Sequence, residues 1–358
     1  MKSSCSKQLL IVLCLFLAPA ALASTWYVDG VNGSDSNDCK THTTACLTIG
    51  HAIGLALSGD SIMIAAATYT ENLTLNSNLK LTGSGAATTI IDGGLAGRVV
   101  TIADTSANVA VSGVTVQNGV ASGGGGILNW GTLKVSNSTI SGNLAGSNYS
   151  AAGGGIYNSG KLTINDSTIS GNAGTTYFLY GAGIYNSGTV AINNSTISGN
   201  SATGYLGGGG GGIYNDSVAK INNSTFAGNS GSPNGGGIYN AGTTTLQNSI
   251  VASNPTGGNC YGTVNSNGYN MSSDGSCNFK GTGDKNSTNP KLKALNNNGG
   301  PTQTMALPSK SPAIDAGNPG GCKDDKGHLL KTDQRGQLRP DKEDKTGCDM
   351  GAYESQTD

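Results

Sequence analysis

"GGGIYNSGKLTINDSTISGN", Gly153–Asn172, returns in close copies along the middle of the chain. Aligned on the isoleucine after the glycines, the copies fall at Ile127, Ile156, Ile184, Ile213 and Ile238. In each, an asparagine follows sixteen residues later: Asn143, Asn172, Asn200, Asn229 and Asn254. The block between these landmarks keeps its length, whereas the connection to the next isoleucine runs through 13, 12, 13 and 9 residues. A fixed block with one elastic segment is the pattern of a solenoid, where one connection per coil can differ without disturbing the stack.

Inside the block, Leu133 and Val135 alternate with polar neighbours, as do Leu162 and Ile164, and Val190 and Ile192. That is the period of a strand, and no segment here has the period of a helix. After a polar corner comes one more inward apolar residue: Ile140, Ile169, Ile197 or Phe226. Runs this short cannot form a sheet alone, but stacked coils pair at ~4.8 Å along an axis. The expectation is an all-β fold, a single-stranded right-handed parallel β-helix with a short N-terminal capping helix. Asn137, Asp166, Asn194 and Asn223 then share one corner, and Asn143, Asn172, Asn200 and Asn229 another. Stacked amides there can bond along the axis, with Asp166 an isosteric member of its row.

Working outward, Ser61–Ala66, Leu73–Leu75, Leu79–Thr82, Thr89–Asp92, Arg98–Ile102 and Val109–Val116 read as earlier, less regular coils. Ahead of them Ile49, Ile53, Ala56 and Leu57 fall on one face of a short helix that could close the open end of the core. Lys2 and Lys7, an apolar run over Leu9–Leu17 and the sequence Ala21-Leu22-Ala23 have the layout of a secretory leader. The expected organisation is a signal peptide over 1–23, an N-terminal cap over 24–60, a β-helix over 61–295 and a C-terminal region over 296–358. No membrane span is expected after leader removal, and an exported protein follows, extracellular or at the cell surface, with the periplasm an option.

Cysteine usage agrees. Cys39, Cys46, Cys260, Cys277, Cys322 and Cys348 fall into neighbouring couples, and Cys39–Cys46, Cys260–Cys277 and Cys322–Cys348 are the expected bonds. Zinc is the rival, and it lacks both a C-x-x-C spacing and clustered histidines. A net charge of -1 leaves nucleic acid without electrostatic footing.

The stretches "GGGI" (Gly124–Ile127), "GGGIYN" and "FAGN" (Phe226–Asn229) resemble the GGAI and FxxN repeats of chlamydial polymorphic outer-membrane proteins. They look equally like bacterial β-helix proteins of the pectin-lyase-like superfamily, as does "CLTIGHAI…SGDSIMIAAATYTENLTL" (Cys46–Leu75). "NNNGGPTQTMAL" (Asn296–Leu307), "SPAIDAG" (Ser311–Gly317), "DQRGQLRP" (Asp333–Pro340) and "CDMGAYE" (Cys348–Glu354) resemble the choice-of-anchor Q domain. The resemblance implies a β-helix and a secreted or surface setting, and much less about activity.

That superfamily contains pectate lyases and polygalacturonases, so catalytic groups need a place. Asp104, Asp166 and Asp216 stand isolated in the repeats, with no arginine between Arg98 and Arg335 and no histidine between His51 and His328. No catalytic residue is assigned. Asp315, Asp333, Arg335, Arg339, Asp349 and Glu354 form either an ion-pair network in a cap over the last coil or a Ca²⁺ site. No other cofactor or metal is assigned.

Two outward rows remain. If each isoleucine of Gly-Ile-Tyr-Asn points inward, the next residue points outward. Tyr157, Tyr185, Tyr214 and Tyr239, headed by Leu128, then make a ladder of rings on which sugars can stack, or whose rings stack on each other. Tyr177, Tyr180 and Tyr205 would project from the connections on the same edge. A Thr-x-Ser row (Thr139/Ser141, Thr168/Ser170, Thr196/Ser198) is expected to face solvent, like the hydroxyl arrays of ice-binding solenoids, but stops at Ala227. The reading is a secreted or surface-exposed monomer, a non-enzymatic adhesin-like or glycan-binding scaffold whose partner is a polysaccharide or cell-surface glycan. The alternative is a polysaccharide lyase or glycoside hydrolase.

Overall fold

The computed structural model describes residues 23–147, 149–341 and 347–356. The leader expected over 1–23 lies outside the described residues except for its last. Among the described residues no helix is long and apolar enough to cross a membrane.

The repeats wind into an all-parallel β-solenoid. Strands such as Ile156–Asn158, Lys161–Asn165 and Thr168–Ser170 each join a separate sheet, of eight, ten and nine strands respectively. We call these the Ile-Tyr-Asn, Leu/Ile and Thr-x-Ser sheets. Neighbouring coils pair in the register of the sequence alignment: Ile127 opposite Ile156, Ile156 opposite Ile184, Ile184 opposite Ile213, Ile213 opposite Ile238. Those isoleucines are fully buried, as are Ile140, Ile169, Ile197 and Phe226, which line the bore from the Thr-x-Ser sheet. Each such side chain contributes ~1.5–3 kcal/mol by leaving water.

Polar groups inside the turns are satisfied by stacking. Asn143 donates from Nδ2 to Asn172 Oδ1 at 3.0 Å, Asn172 to Asn200 at 2.9 Å and Asn200 to Asn229 at 2.9 Å. Each Oδ1 also accepts the backbone N–H of the asparagine one coil earlier. A further ladder escaped the sequence reading. The last residue of Gly-Ile-Tyr-Asn points inward, and Asn129, Asn158, Asn186, Asn215 and Asn240 bond in series at 2.7–2.9 Å. The other corner row sits in the left-handed region, φ 49° to 53° at Asn137, Asp166, Asn194 and Asn223, which Asn and Asp tolerate better than other side chains.

The elastic connections are not free loops. Ala173–Tyr180 and Ser201–Gly209 pair with each other and with shorter strands to make a fourth parallel sheet, interrupted by one irregularity between Thr176 and Phe178. Their backbone donors would otherwise go unpaired at a coil spacing that already suits a ladder. Ala145, Ala151, Leu179, Ala182 and Ala202 form a small apolar cluster beneath it.

Thr25–Val28 already belongs to the ten-stranded sheet, pairing with Ser61–Ile64. The helix Ile49–Leu55 follows, with Thr48 as N-cap and the Glu71 carboxylate accepting from the N–H groups of Ile49 and Gly50. Ile49 and Ala52 are its buried residues; Leu57, expected on the same face, is 69% exposed because the helix has ended at Ala56. Cysteines pair as expected, with Cα separations of 5.0, 4.8 and 6.1 Å along the chain. His51 lies close to Cys39 and Cys46, but oxidised sulfurs are not zinc ligands.

The far end of the bore is closed by the loop held by Cys260–Cys277, which places Phe279 in the core. The C-terminal region, expected to seal the last coil, instead lies along the outside of the Thr-x-Ser sheet. Ile250, Ala252 and Met271, on the outer side of that sheet, pack with Leu307, Ala313 and Met350. Farther along, Thr168 Oγ1 donates to the Gln303 carbonyl (2.6 Å), Thr196 Oγ1 to Gln334 Oε1 (2.6 Å), and Ala352 N–H to Thr225 Oγ1 (3.1 Å). The row expected to face solvent is therefore largely covered: Thr168 and Thr196 are fully buried, and Ser198 nearly so.

Docking also uses the left-handed corner. Asn194 Nδ2 donates to the Thr332 carbonyl and Asn223 Nδ2 to the Lys323 carbonyl. Arg339 donates to Asn194 Oδ1 at 2.9 Å and to Glu354 Oε2 at 2.6 Å. Asp333 pairs with Arg335 at 2.7 Å and also accepts the N–H of Glu354. Asp349 accepts from the backbone of Asp315 and Ser355. Two ion pairs, Asp333–Arg335 and Arg339–Glu354, thus stand in this region, and the carboxylates of Asp333, Asp349 and Glu354 each accept from protein donors. Burial, then the neighbouring Glu354, pushes the Asp349 carboxyl up to about 7.

Candidate ligand-binding face

Outward-pointing residues of the Ile-Tyr-Asn sheet fall in register: Leu128 opposite Tyr157, then Tyr185, Tyr214, Tyr239 and Tyr261 in turn. Ring centroids are 4.9, 5.8, 4.4 and 4.7 Å apart along the tyrosines. Tyr214 and Tyr239 are nearly parallel, 11° apart, while Tyr157 and Tyr185 tilt by 38°. The rings therefore stack on each other, and the ladder shows solvent a strip of ring edges and hydroxyls.

Tyr261 was missed in the sequence. Its signal was present: Gly257-Gly258-Asn259-Cys260-Tyr261 echoes Gly-Gly-Gly-Ile-Tyr, with the half-cystine in the place of the isoleucine. The other expected tyrosines divide. Tyr180, the last residue of the connection strand Ala173–Tyr180, meets the ladder with its ring, edge-on to Tyr214 at 5.0 Å. Tyr177 and Tyr205 make a separate outer row with Tyr149, at 6.0 and 6.4 Å, and are 48%, 69% and 65% exposed respectively. Tyr149 and Tyr205 are more exposed than any tyrosine of the ladder, where Tyr261 at its end is 45% exposed.

Between ladder and connection sheet lies a shallow cleft of about 350 Å³, lined by Ser122, Gly123, Ser150, Ala151, Ala152, Tyr157, Tyr180 and Tyr185. Gly123 approaches so near to Tyr157 that a Cβ there would stand 3.2 Å from the ring. Arg98 holds this wall: its Nε donates to the carbonyls of Gly123 and Gly124, and its Nη2 to Gly123. Burial lowers its pKa somewhat from a very high value, so it remains a cation.

Electrostatics keep the ladder neutral. Burial, then the neighbouring Tyr157 and the Asp216 carboxylate, pushes the Tyr185 phenol up to about 12. Burial raises Tyr214 further still, and Tyr239 in the same sense. These phenols stay protonated at neutral pH, as hydrogen-bond donors rather than bases. The isolated acids remain apart: Asp104 accepts from Ser106 in its own turn, Asp166 bonds to Asn194 at the covered corner, and Asp216 stands beside the tyrosines. The cleft lining itself carries no carboxylate.

Fold and face together define a parallel β-solenoid carrying a tyrosine ladder beside a cleft. No family model matches the chain, and no curated protein sequence matches it. The narrower resemblances of the repeats and of 296–358 thus have no family model behind them. Among solved structures the chain is similar to the pectate lyase Pel9A, at 17% identity and a TM-score of 0.48, over 92% of this chain and 96% of that one. It is also similar to the pectin methylesterase PemA from Erwinia chrysanthemi, at 16% identity and a TM-score of 0.34, over 82% of this chain and 87% of that one. A mutant pectin methylesterase in complex with a hexasaccharide matches at 14% identity and a TM-score of 0.31, over 81% and 87%. No activity is carried over from likenesses at this level.

Proposed function

We propose that the chain is an exported β-solenoid that engages a polysaccharide or cell-surface glycan along its tyrosine face. The observation that supports this most directly is the ladder Tyr157–Tyr261 with the cleft at its head. A periodic strip of protonated phenols offers donors at the coil spacing, and the ring edges offer apolar contact to the C–H faces of sugars. Asp216 beside Tyr185 adds an acceptor for a sugar hydroxyl. The disulfides fit an oxidising, exported setting.

The form of the proposal is a non-enzymatic, adhesin-like or glycan-binding scaffold. Its alternative is a polysaccharide lyase or glycoside hydrolase, and the structural neighbours, which are pectin-active enzymes by name, stand nearer to that alternative than to an adhesin. Both share a polysaccharide partner. One experiment separates them. Purified protein is offered immobilised and soluble acidic and neutral polysaccharides in the presence of Ca²⁺. Retention that disappears in Tyr157→Ala and Tyr185→Ala supports the scaffold. Ultraviolet-absorbing unsaturated products or new reducing ends replace it with the enzyme. Failure to retain any polysaccharide removes both.

A further inference from the structure

A second cleft lies on the Thr-x-Ser sheet, where the C-terminal region stops. It has a volume of about 330 Å³, with Thr115, Gln117, Thr139, Ser141 and Ile90 as floor. Ala86 and Ala87 form one wall, and Asn297 with Gly300–Gln303 the other. Among the described residues the hydroxyls of Thr139 and Ser141 have no hydrogen-bond partner, and the lining carries no charged side chain.

The same row of threonines shows what its chemistry takes. Wherever it is covered, an amide or peptide group sits on the threonine hydroxyl. Thr115 Oγ1 donates to the Ala86 carbonyl (2.6 Å), and Thr168 Oγ1 to the Gln303 carbonyl. The primary amide of Gln334 bridges coils, accepting from Thr196 at 2.6 Å and donating to Thr168 at 3.0 Å and Thr302 at 2.9 Å. Thr139 lies between Thr115 and Thr168 in register and offers the same hydroxyl to the cleft.

From this geometry we infer that the cleft is a binding site for an N-acetylated hexosamine residue, with its acetamido carbonyl on the Thr139 hydroxyl and its N–H on Gln117 Oε1, since Gln117 Nε2 already donates to Asp92 Oδ2 at 2.8 Å. Ser141 and Asn297 are left for ring hydroxyls, and Ile90, Ala87 and Pro301 for the apolar face of the sugar. The size favours a sugar over a peptide strand. The hydroxyls of Thr115 and Thr168, one coil away on either side, are already taken by the Ala86 and Gln303 carbonyls, so the stretch between them spans about 10 Å along the axis. That suits one or two sugar rings, and a docked peptide would find little backbone to pair with. This site is on a different sheet from the tyrosine ladder and does not rest on the proposal for that face.

The test measures binding of N-acetylglucosamine trimer and of the glucose trimer, which lacks the acetamido group, by saturation-transfer NMR and calorimetry. Thr139→Val removes the hydroxyl with little change of shape and is expected to weaken the acetylated trimer roughly five- to tenfold. Ala87→Trp, at an exposed position on the wall, is expected to abolish binding, and Leu57→Ala, exposed beyond the N-terminal helix, to leave it unchanged. Melting curves confirm that the variants are folded. Equal binding of both trimers, no binding, or indifference to Thr139→Val and Ala87→Trp each overturns the assignment. So does binding of an N-acetylated tripeptide in place of the sugar.

Discussion

Two outward rows run along this solenoid and meet opposite fates. On the Ile-Tyr-Asn sheet the tyrosines remain at the surface, half-buried by each other, by Tyr180 and by neighbouring glycines. On the Thr-x-Ser sheet much of the equivalent row, from Thr168 onward, lies beneath the C-terminal region, which takes its hydroxyls as hydrogen-bond partners. Both rows alternate correctly with buried isoleucines, so alternation sets which side a residue faces and leaves open what lies on that side. An uncharged periodic surface is a template for whatever segment can match its spacing, including a segment of the same chain.

The largest effect is expected at Arg339, which ties Glu354 to Asn194 of the solenoid corner. Arg339→Leu leaves a buried carboxylate without its cation, and a loss of ~3–5 kcal/mol is expected. Hydrogen exchange should then rise at Thr168 and Thr196 while the tyrosine face keeps its protection. Uniform loss across both faces would mean the covered row is not a separate layer. The next largest effect is expected inside the coils. Asn200→Ala removes the acceptor of the Asn172 N–H, and leaves Asn172 Nδ2 with the Ile140 carbonyl alone. The orphaned buried N–H costs ~1–3 kcal/mol. Urea unfolding should show this loss, and an unchanged midpoint would remove the amide ladder from the account of stability.

A smaller effect is a pH slope confined to the covered side. Asp349 is held up at about 7, whereas an unfolded chain has an ordinary carboxyl. Between roughly pH 4 and 7 the folded state keeps a proton that the unfolded chain has lost. The contribution is full below about pH 4 and declines as pH rises through 7. Exposed carboxyls that are lowered, such as Asp29 and Asp104, act in the opposite sense, and only at more acid pH. The melting temperature should therefore fall as pH rises from about 4 to 7, and Asp349→Asn should make the slope shallower, the raised carboxyls of Glu354 and Asp166 on the same side keeping the remainder; a rising profile in the parent protein contradicts the assignment. The smallest effect belongs to the open row. Tyr185→Phe keeps the stacked ring and loses the hydroxyl beside Asp216, so glycan retention should weaken only about five- to tenfold with stability unchanged. A loss as large as that of Tyr185→Ala would show that the hydroxyl, and not the ring, carries binding.

Much of this was legible in the residues. Ile156, Leu162, Ile164 and Ile169 announce their inward positions by period alone, and Asn172 its corner by constant spacing. The disulfides follow from neighbouring cysteines. The tyrosine ladder followed from alternation, except at Tyr261, where a cysteine replaced the isoleucine that marked the other coils. Ala227, Ile250, Ala252 and Met271 were a signal of coverage: the hydroxyl row turns apolar where the C-terminal region packs. The inward Asn158 row was harder to see, because a polar residue inside a bore is tolerated only when a like residue sits one coil away.

Residue order alone settles the coil, its register and its inward side, because those depend on neighbours at a fixed repeat distance. It also excluded a charged constellation from the repeats. The fourth sheet of the connections, the mutual cover of the tyrosine faces and the course of 296–358 along the solenoid rather than on its end emerge only when the coils are stacked. The last of these joins groups more than a hundred residues apart, such as Thr196 with Gln334 and Asn194 with Arg339. Local period carries no information about such pairs. They form because buried hydroxyls and amides must find partners, and here the partners were elsewhere in the chain.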